Sequence, residues 1–142
     1  MRVDVVLSLR GVQTYEDQEP DEIELVTDGI LESTEKGWIL SYQESELTGL
    51  AGVQTTFLIE RNKITLTRTG KLSSQMVFQE GVSHDSLYQM EFGALMITVC
   101  ATRVRADLSE YGGVLDLQYS IEIEQNAAGK IDYHFDIKAK NI

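Results

Sequence analysis

Apolar residues recur at every second position along almost the whole chain, in short runs separated by glycine, asparagine or charged residues. Val3, Val5, Leu7 and Leu9 define a first run, and Ile23, Leu25, Thr27, Gly29 and Leu31 a second. The alternation resumes in Trp38 to Glu44, Val53 to Ile59, Ile64 to Thr69, and Met76 with Phe78. It continues in Tyr88–Met90–Phe92, Leu95 to Arg105, Leu115 to Ile123 and Ile131 to Ile137. A period of two places alternate side chains on opposite faces of a strand. No segment shows the three- and four-residue spacing of a convincing helical stripe. Gln43 to Leu50 reads as one short helix or a loop, and Asp107 to Tyr111 as a turn. The chain therefore reads as an antiparallel all-β domain of about eight to ten strands.

Turn signals fall between the runs: Glu35–Lys36–Gly37, Asn62–Lys63, Gly70–Lys71 and Glu110–Tyr111–Gly112–Gly113. Asn126–Ala127–Ala128–Gly129 separates the last two runs, which make the clearest hairpin. Gly29, inside a run, marks a bulge, a sharp curve or a close backbone approach. The short successive turns favour a closed barrel over a sandwich, because closure removes exposed strand edges. There is no repeat or linker, so one domain covers residues 1–142. A chain of this length buries enough surface for a core without disulfide or metal staples.

Three charges interrupt this regularity. Glu44, Arg68 and Arg103 extend the apolar phases Trp38–Leu40–Tyr42, Ile64–Leu66 and Leu95–Ile97–Val99–Ala101. Their phase points them at whatever the apolar residues cover, and a buried charge is costly unless paired. Two readings compete. One is an internal carboxylate–guanidinium network that sets strand register. The other is the polar end of a pocket, with one arginine on Glu44 and the other free for an anionic or carbonyl-bearing ligand. Tyr42, Tyr88, Tyr119 and Tyr133 share apolar phases, and each joins a large ring to a hydroxyl that needs a partner. Tyr42, Tyr88 and Tyr119 complete the candidate site. Trp38 reads as packing near a barrel end.

Composition narrows the classes of partner. Asp and Glu number 23 against 12 Lys and Arg, a formal charge of −11, and no dense basic run offers a nucleic-acid surface. The acidic segment Glu16 to Glu22 reads as a solvated hairpin loop, with a basic macromolecule as the alternative. Cys100 is the only cysteine, which excludes an intrachain disulfide and fits the cytoplasm. Asp4 and Ser8 break the apolar N-terminus too early for a signal peptide. Ala94 to Ala101 is far shorter than the ~20 residues of a membrane-spanning helix.

Catalytic and cofactor signals are weak. His84 and His134 stand alone, with no metal-ligand spacing. Ser83–His84–Asp85 lacks a nucleophile elbow, and adjacent strand side chains diverge. Glu80, Glu91 and Asp107 show no spacing that pairs two carboxylates. No nucleotide-binding glycine motif occurs, Gly49 to Gly52 being a weak fragment, so no cofactor, metal or catalytic residue is assigned.

Several short segments, in order, carry a resemblance to a family. They are Thr27–Asp28–Gly29, Ser41–Tyr42–Gln43–Glu44, Thr67–Arg68–Thr69–Gly70, Met76–Val77–Phe78, Tyr88 with Phe92–Gly93–Ala94–Leu95, and Gly113 to Tyr119. Over nearly its whole length the chain resembles the YwiB-like family of small bacterial proteins of unknown function. The resemblance implies a calycin-type, lipocalin-like barrel and supplies no catalytic residue or cofactor. The expectation is a noncatalytic cytoplasmic β-barrel that binds a small, partly apolar molecule. The alternative is a structural or protein-interaction module with a side-chain-filled barrel, and an enzyme of unassigned reaction ranks third. A homodimer is compatible with the sequence, which carries no pattern diagnostic of one.

Overall fold

The computed structural model describes residues 2–15, 19–44, 51–90 and 93–140. They form a single ten-stranded antiparallel sheet, with no helix among the described residues. The strands are β1 (Arg2–Thr14), β2 (Asp21–Ser33), β3 (Gly37–Gln43), β4 (Val53–Glu60), β5 (Ile64–Gly70) and β6 (Ser74–Phe78), then β7 (Ser83–Met90), β8 (Gly93–Ser109), β9 (Gly112–Ile123) and β10 (Asn126–Ala139). Glu16, Asp17 and Gln18 of the acidic loop lie outside the described residues. So do Ser45 to Leu50 of the helix-or-loop segment, including Gly49, and both Glu91 and Phe92.

Every strand lies beside its sequence neighbours, and β1 pairs with β10. This up-and-down meander curls until β6 and β7 meet. There the ladder gives way to separate contacts. Ser73 and Gln89 exchange backbone hydrogen bonds of 3.0 and 2.9 Å. The Gly81 amide donates to the Ala101 carbonyl at 2.9 Å, and the Ser86 hydroxyl donates to the Gln75 carbonyl. The result is a nearly closed all-β barrel, consistent with a calycin-like barrel.

The inward phases build the core as the alternation requires. Leu40 stands opposite Leu31 and Phe57, and Phe57 opposite Leu66, all buried. Phe57 and Phe135 meet edge to face, with ring centroids 5.3 Å apart. Gly29 is a close approach and not a bulge: register runs through it unbroken. A Cβ there would lie 2.8 Å from the Ser41 carbonyl oxygen and 3.0 Å from Leu7 Cδ1.

Two expected turns move. β8 continues to Ser109, so Asp107 is strand and only Glu110 and Tyr111 reverse the chain. Ile123 pairs with Asn126, which puts the β9–β10 reversal at Glu124 and Gln125, with φ of 50° and 69°. Asn126 to Gly129 belong to β10, and the register shifts between Ala127 and Gly129. Gly129 serves that irregularity: a Cβ would stand 2.8 Å from the Thr14 carbonyl oxygen.

Because strands alternate in direction, the β1–β2, β3–β4, β5–β6, β7–β8 and β9–β10 connections share one end of the barrel. Trp38, at the start of β3, packs against the core at the opposite end.

Candidate functional site

Four inward positions line up across neighbouring strands at the connection-rich end. Tyr42 of β3 faces Thr55 of β4, Thr55 faces Arg68 of β5, and Arg68 faces Ser74 of β6. Glu44 extends the row of β3. Its amide donates to the Val53 carbonyl at 2.9 Å, which prolongs the β3–β4 pairing and keeps Glu44 on the same face as Tyr42. The Glu44 side chain is 2% exposed and that of Arg68 13%.

The Thr55 hydroxyl donates to Glu44 Oε2, and Arg68 Nε lies 4.0 Å from the same oxygen. This is an ion pair without a hydrogen bond from Nε. Arg68 Nε is buried without a hydrogen-bond partner, and so is the hydroxyl of Ser74 beside it in the ladder. Burial works against the Arg68 charge, but Tyr133, Tyr119, Glu44 and Tyr42 outweigh it and hold the guanidinium pKa up. Burial, then the Glu44 carboxylate, push the Tyr42 phenol above its ordinary 10.0. Burial and Tyr133 raise Tyr119 well above the same value. Both phenols are therefore neutral at physiological pH.

A cavity of about 230 Å³ opens beside Arg68. Tyr42, Glu44, Phe57, Tyr88, Tyr133 and Phe135 wall it, with Leu9, Gly11, Gln13 and Ile23. Gly11 leaves room for the Tyr133 ring, whose Cε1 would lie 2.7 Å from a Cβ at that position. Of the six site residues expected from sequence, Glu44, Arg68, Tyr42 and Tyr88 meet here. Tyr119 packs behind them, 4.5 Å from the Phe78 ring and 6.3 Å from that of Tyr133 by centroid.

Arg103 does not join them. Ala101 pairs with Tyr119, but Arg103 pairs with Gln118, because Thr102 is an extra residue in β8. A one-residue bulge reverses every phase beyond it. Val104 therefore takes the inward position opposite Leu117, and Arg103 turns to the other face. The expected three-charge group reduces to Glu44 and Arg68.

The family model described as "Domain of unknown function (DUF1934)" matches residues 7–135. The chain belongs to the DUF1934 family. Its fold is similar to that in the crystal structure of the YwiB protein from Bacillus subtilis, with a TM-score of 0.80 at 21% identity. The match covers 95% of this chain and 92% of that one. At this identity the likeness is one of fold. No curated protein matches the sequence.

Elsewhere in this DUF1934 barrel the titratable groups serve local contacts. His134 points outward, its Nδ1 2.5 Å from Asp116 Oδ1 and its Nε2 3.2 Å from Asp136 Oδ1. His84 Nε2 lies 3.3 Å from Gln79 Oε1, while Asp85 accepts from the Thr98 hydroxyl at 2.6 Å, so Ser83, His84 and Asp85 form no relay. Cys100 is half-buried. Glu80 accepts the Val104 amide at 2.8 Å. Among the described residues no three metal-ligating side chains converge.

Sequence reasoning missed Thr55 and Ser74. The signal was present: each is a hydroxyl inside an apolar phase, Thr55 between Val53 and Phe57, and Ser74 ahead of Met76 and Phe78.

Proposed function

We propose that this barrel binds a small, partly apolar molecule in the cavity at its connection-rich end, with Arg68 meeting the polar group of the ligand. The observation that carries this reading is Arg68 itself, a guanidinium whose side chain is 13% exposed and which lines a cavity walled by aromatic rings. The cavity is smaller than the roughly 300–1,000 Å³ of drug-sized sites, so the ligand is compact. The excess of carboxylates argues against a polyanionic partner. The single cysteine supports a reducing compartment such as the cytoplasm.

The 4.0 Å contact between Arg68 and Glu44 favours a second reading, in which the pair only fixes strand register. Native mass spectrometry of gently purified protein separates the two. Arg68→Leu alone removes the cation beside the buried Glu44 carboxylate, at a cost of about 3–5 kcal/mol. The pair Glu44→Gln with Arg68→Met avoids that penalty. Under the binding reading the wild type carries a small-molecule adduct and the double variant loses it while still folding. A wild type without adduct, together with a strongly destabilised Arg68→Leu, leaves the register role alone standing.

A further inference from the structure

Strand β8 outruns its neighbour. It pairs with β7 only from Gly93 to Cys100, after which Glu80 bridges Ala101. From Arg103 to Ser109 it pairs with β9 alone, so among the described residues no strand lies along its other edge. Glu80 covers only the start of that edge, its carboxylate accepting the Val104 amide at 2.8 Å. The same bond shows how the backbone is turned after the Thr102 bulge. The amides and carbonyls of Val104, Ala106 and Leu108 point to the free edge, and those of Arg103, Arg105 and Asp107 point to β9. Ala106 is exposed although it lies on the inward face, between the half-buried Val104 and Leu108. Arg103 to Ser109 holds neither a proline nor an inward-facing charge, two devices that stop strand edges from pairing.

The free stretch reads Val104–Arg105–Ala106–Asp107–Leu108, with apolar ends and opposite charges on either side of a small residue. That order complements itself when run backwards. In antiparallel pairing about a two-fold axis at Ala106, Val104 meets the partner's Leu108 on the inward face. On the outward face Arg105 meets the partner's Asp107, and the symmetry repeats both contacts. The two Ala106 residues exchange backbone hydrogen bonds, and each Leu108 amide reaches a Val104 carbonyl, without disturbing Glu80. Arg105 and Asp107 then form non-hydrogen-bonded pairs, whose Cα atoms stand closest, about 4.5 Å apart. A shift of one residue would set inward side chains against outward ones. Centring on Arg105 or on Asp107 keeps the faces but opposes like charges. Within the single chain neither Arg105 nor Asp107 takes part in an ion pair among the described residues.

We infer that the free edge of β8 docks a second copy of this chain, the two sheets joining edge to edge through Val104 to Leu108 about a two-fold axis at Ala106.

Charge reversal tests the pairing. Wild type, Arg105→Asp and Asp107→Arg are each followed by sedimentation velocity up to submillimolar concentration, alone and as an equimolar mixture of the two variants. Both side chains are exposed, so each change leaves the core intact. The wild type is expected to dimerise as concentration rises. Either variant alone sets like charges opposite each other twice and is expected to weaken self-association by about tenfold or more. The mixture restores both unlike pairs and is expected to dimerise as the wild type does. A wild type that stays monomeric throughout overturns the inference. Variants that self-associate as tightly as the wild type place any dimer on another surface and overturn it too. A mixture no more dimeric than its components overturns the Ala106-centred register.

Discussion

Thr55 stands between Glu44 and Arg68 in the ladder, and its hydroxyl fills a lone pair of the carboxylate that the guanidinium only approaches. Glu44 is thereby held by a neutral donor as well as by charge, which is how a 2%-exposed carboxylate becomes tolerable. His134 shows the same economy outside the barrel. Its hydrogen bond to Asp116 is the main cause of a pKa raised above 6.5, with Asp136 adding to it. A raised folded value contributes stability below pH 6.5 that is lost as pH rises through the folded value. The ring is 40% exposed, so screening keeps that contribution small. Asp116→Asn is expected to bring the His134 pKa back toward 6.5, read from NMR titration of its ring protons. An unmoved titration would show that Asp116 is not the cause. At this scale Glu44 and Arg68 were legible because each continues an unbroken phase. Arg103 was not, because nothing in Ala101–Thr102–Arg103 announces a bulge.

Strand existence follows from alternation, whereas strand ends follow from backbone contacts that alternation does not encode. The β9–β10 hairpin illustrates this. Asn126 to Gly129 looks like the turn, yet the chain reverses one step earlier through Glu124 and Gln125, both left-handed. Glu124 is retained there by long-range bonds: its amide donates to Met96 O and its carboxylate accepts from Met96 N, both at 2.9 Å. Gln125 has no such bond and is exposed. A non-glycine residue in this region costs roughly 1–2 kcal/mol, partly offset by the extra freedom glycine gives the unfolded chain. Gln125→Gly is therefore expected to stabilise the protein by about 0.5–1 kcal/mol in denaturant titration. A lower midpoint would mean that the turn bears no strain. The β8 bulge has the opposite character, since it adds a residue within a strand and redirects everything beyond it.

The whole barrel depends on closure at two places of unequal strength. β1 and β10 pair continuously from Val5–Ala139 to Thr14–Lys130, while β6 and β7 meet through isolated bridges. The Arg68 end of the barrel adds a global pH response. Tyr42 and Tyr119 are buried, and burial raises both phenols above 10.0. Above pH 10 the unfolded chain releases these protons and the folded chain keeps them, so stability falls as pH rises. The expected loss is about 1.4 kcal/mol per pH unit for each tyrosine. Denaturant midpoints measured on both sides of pH 10 check this, and Tyr42→Phe is expected to flatten the slope. A midpoint that ignores pH there would place both phenols in water. The sequence by itself determined the all-β class, the strand phases, and the inward direction of Glu44, Arg68 and Tyr42, because a two-residue period is a local property of the backbone. Tertiary structure alone decided which phases share a row, that Thr102 excludes Arg103, and that Thr55 and Ser74 flank Arg68. Register arises from pairing between strands distant in sequence, and it is fixed only when the core they jointly bury is complete.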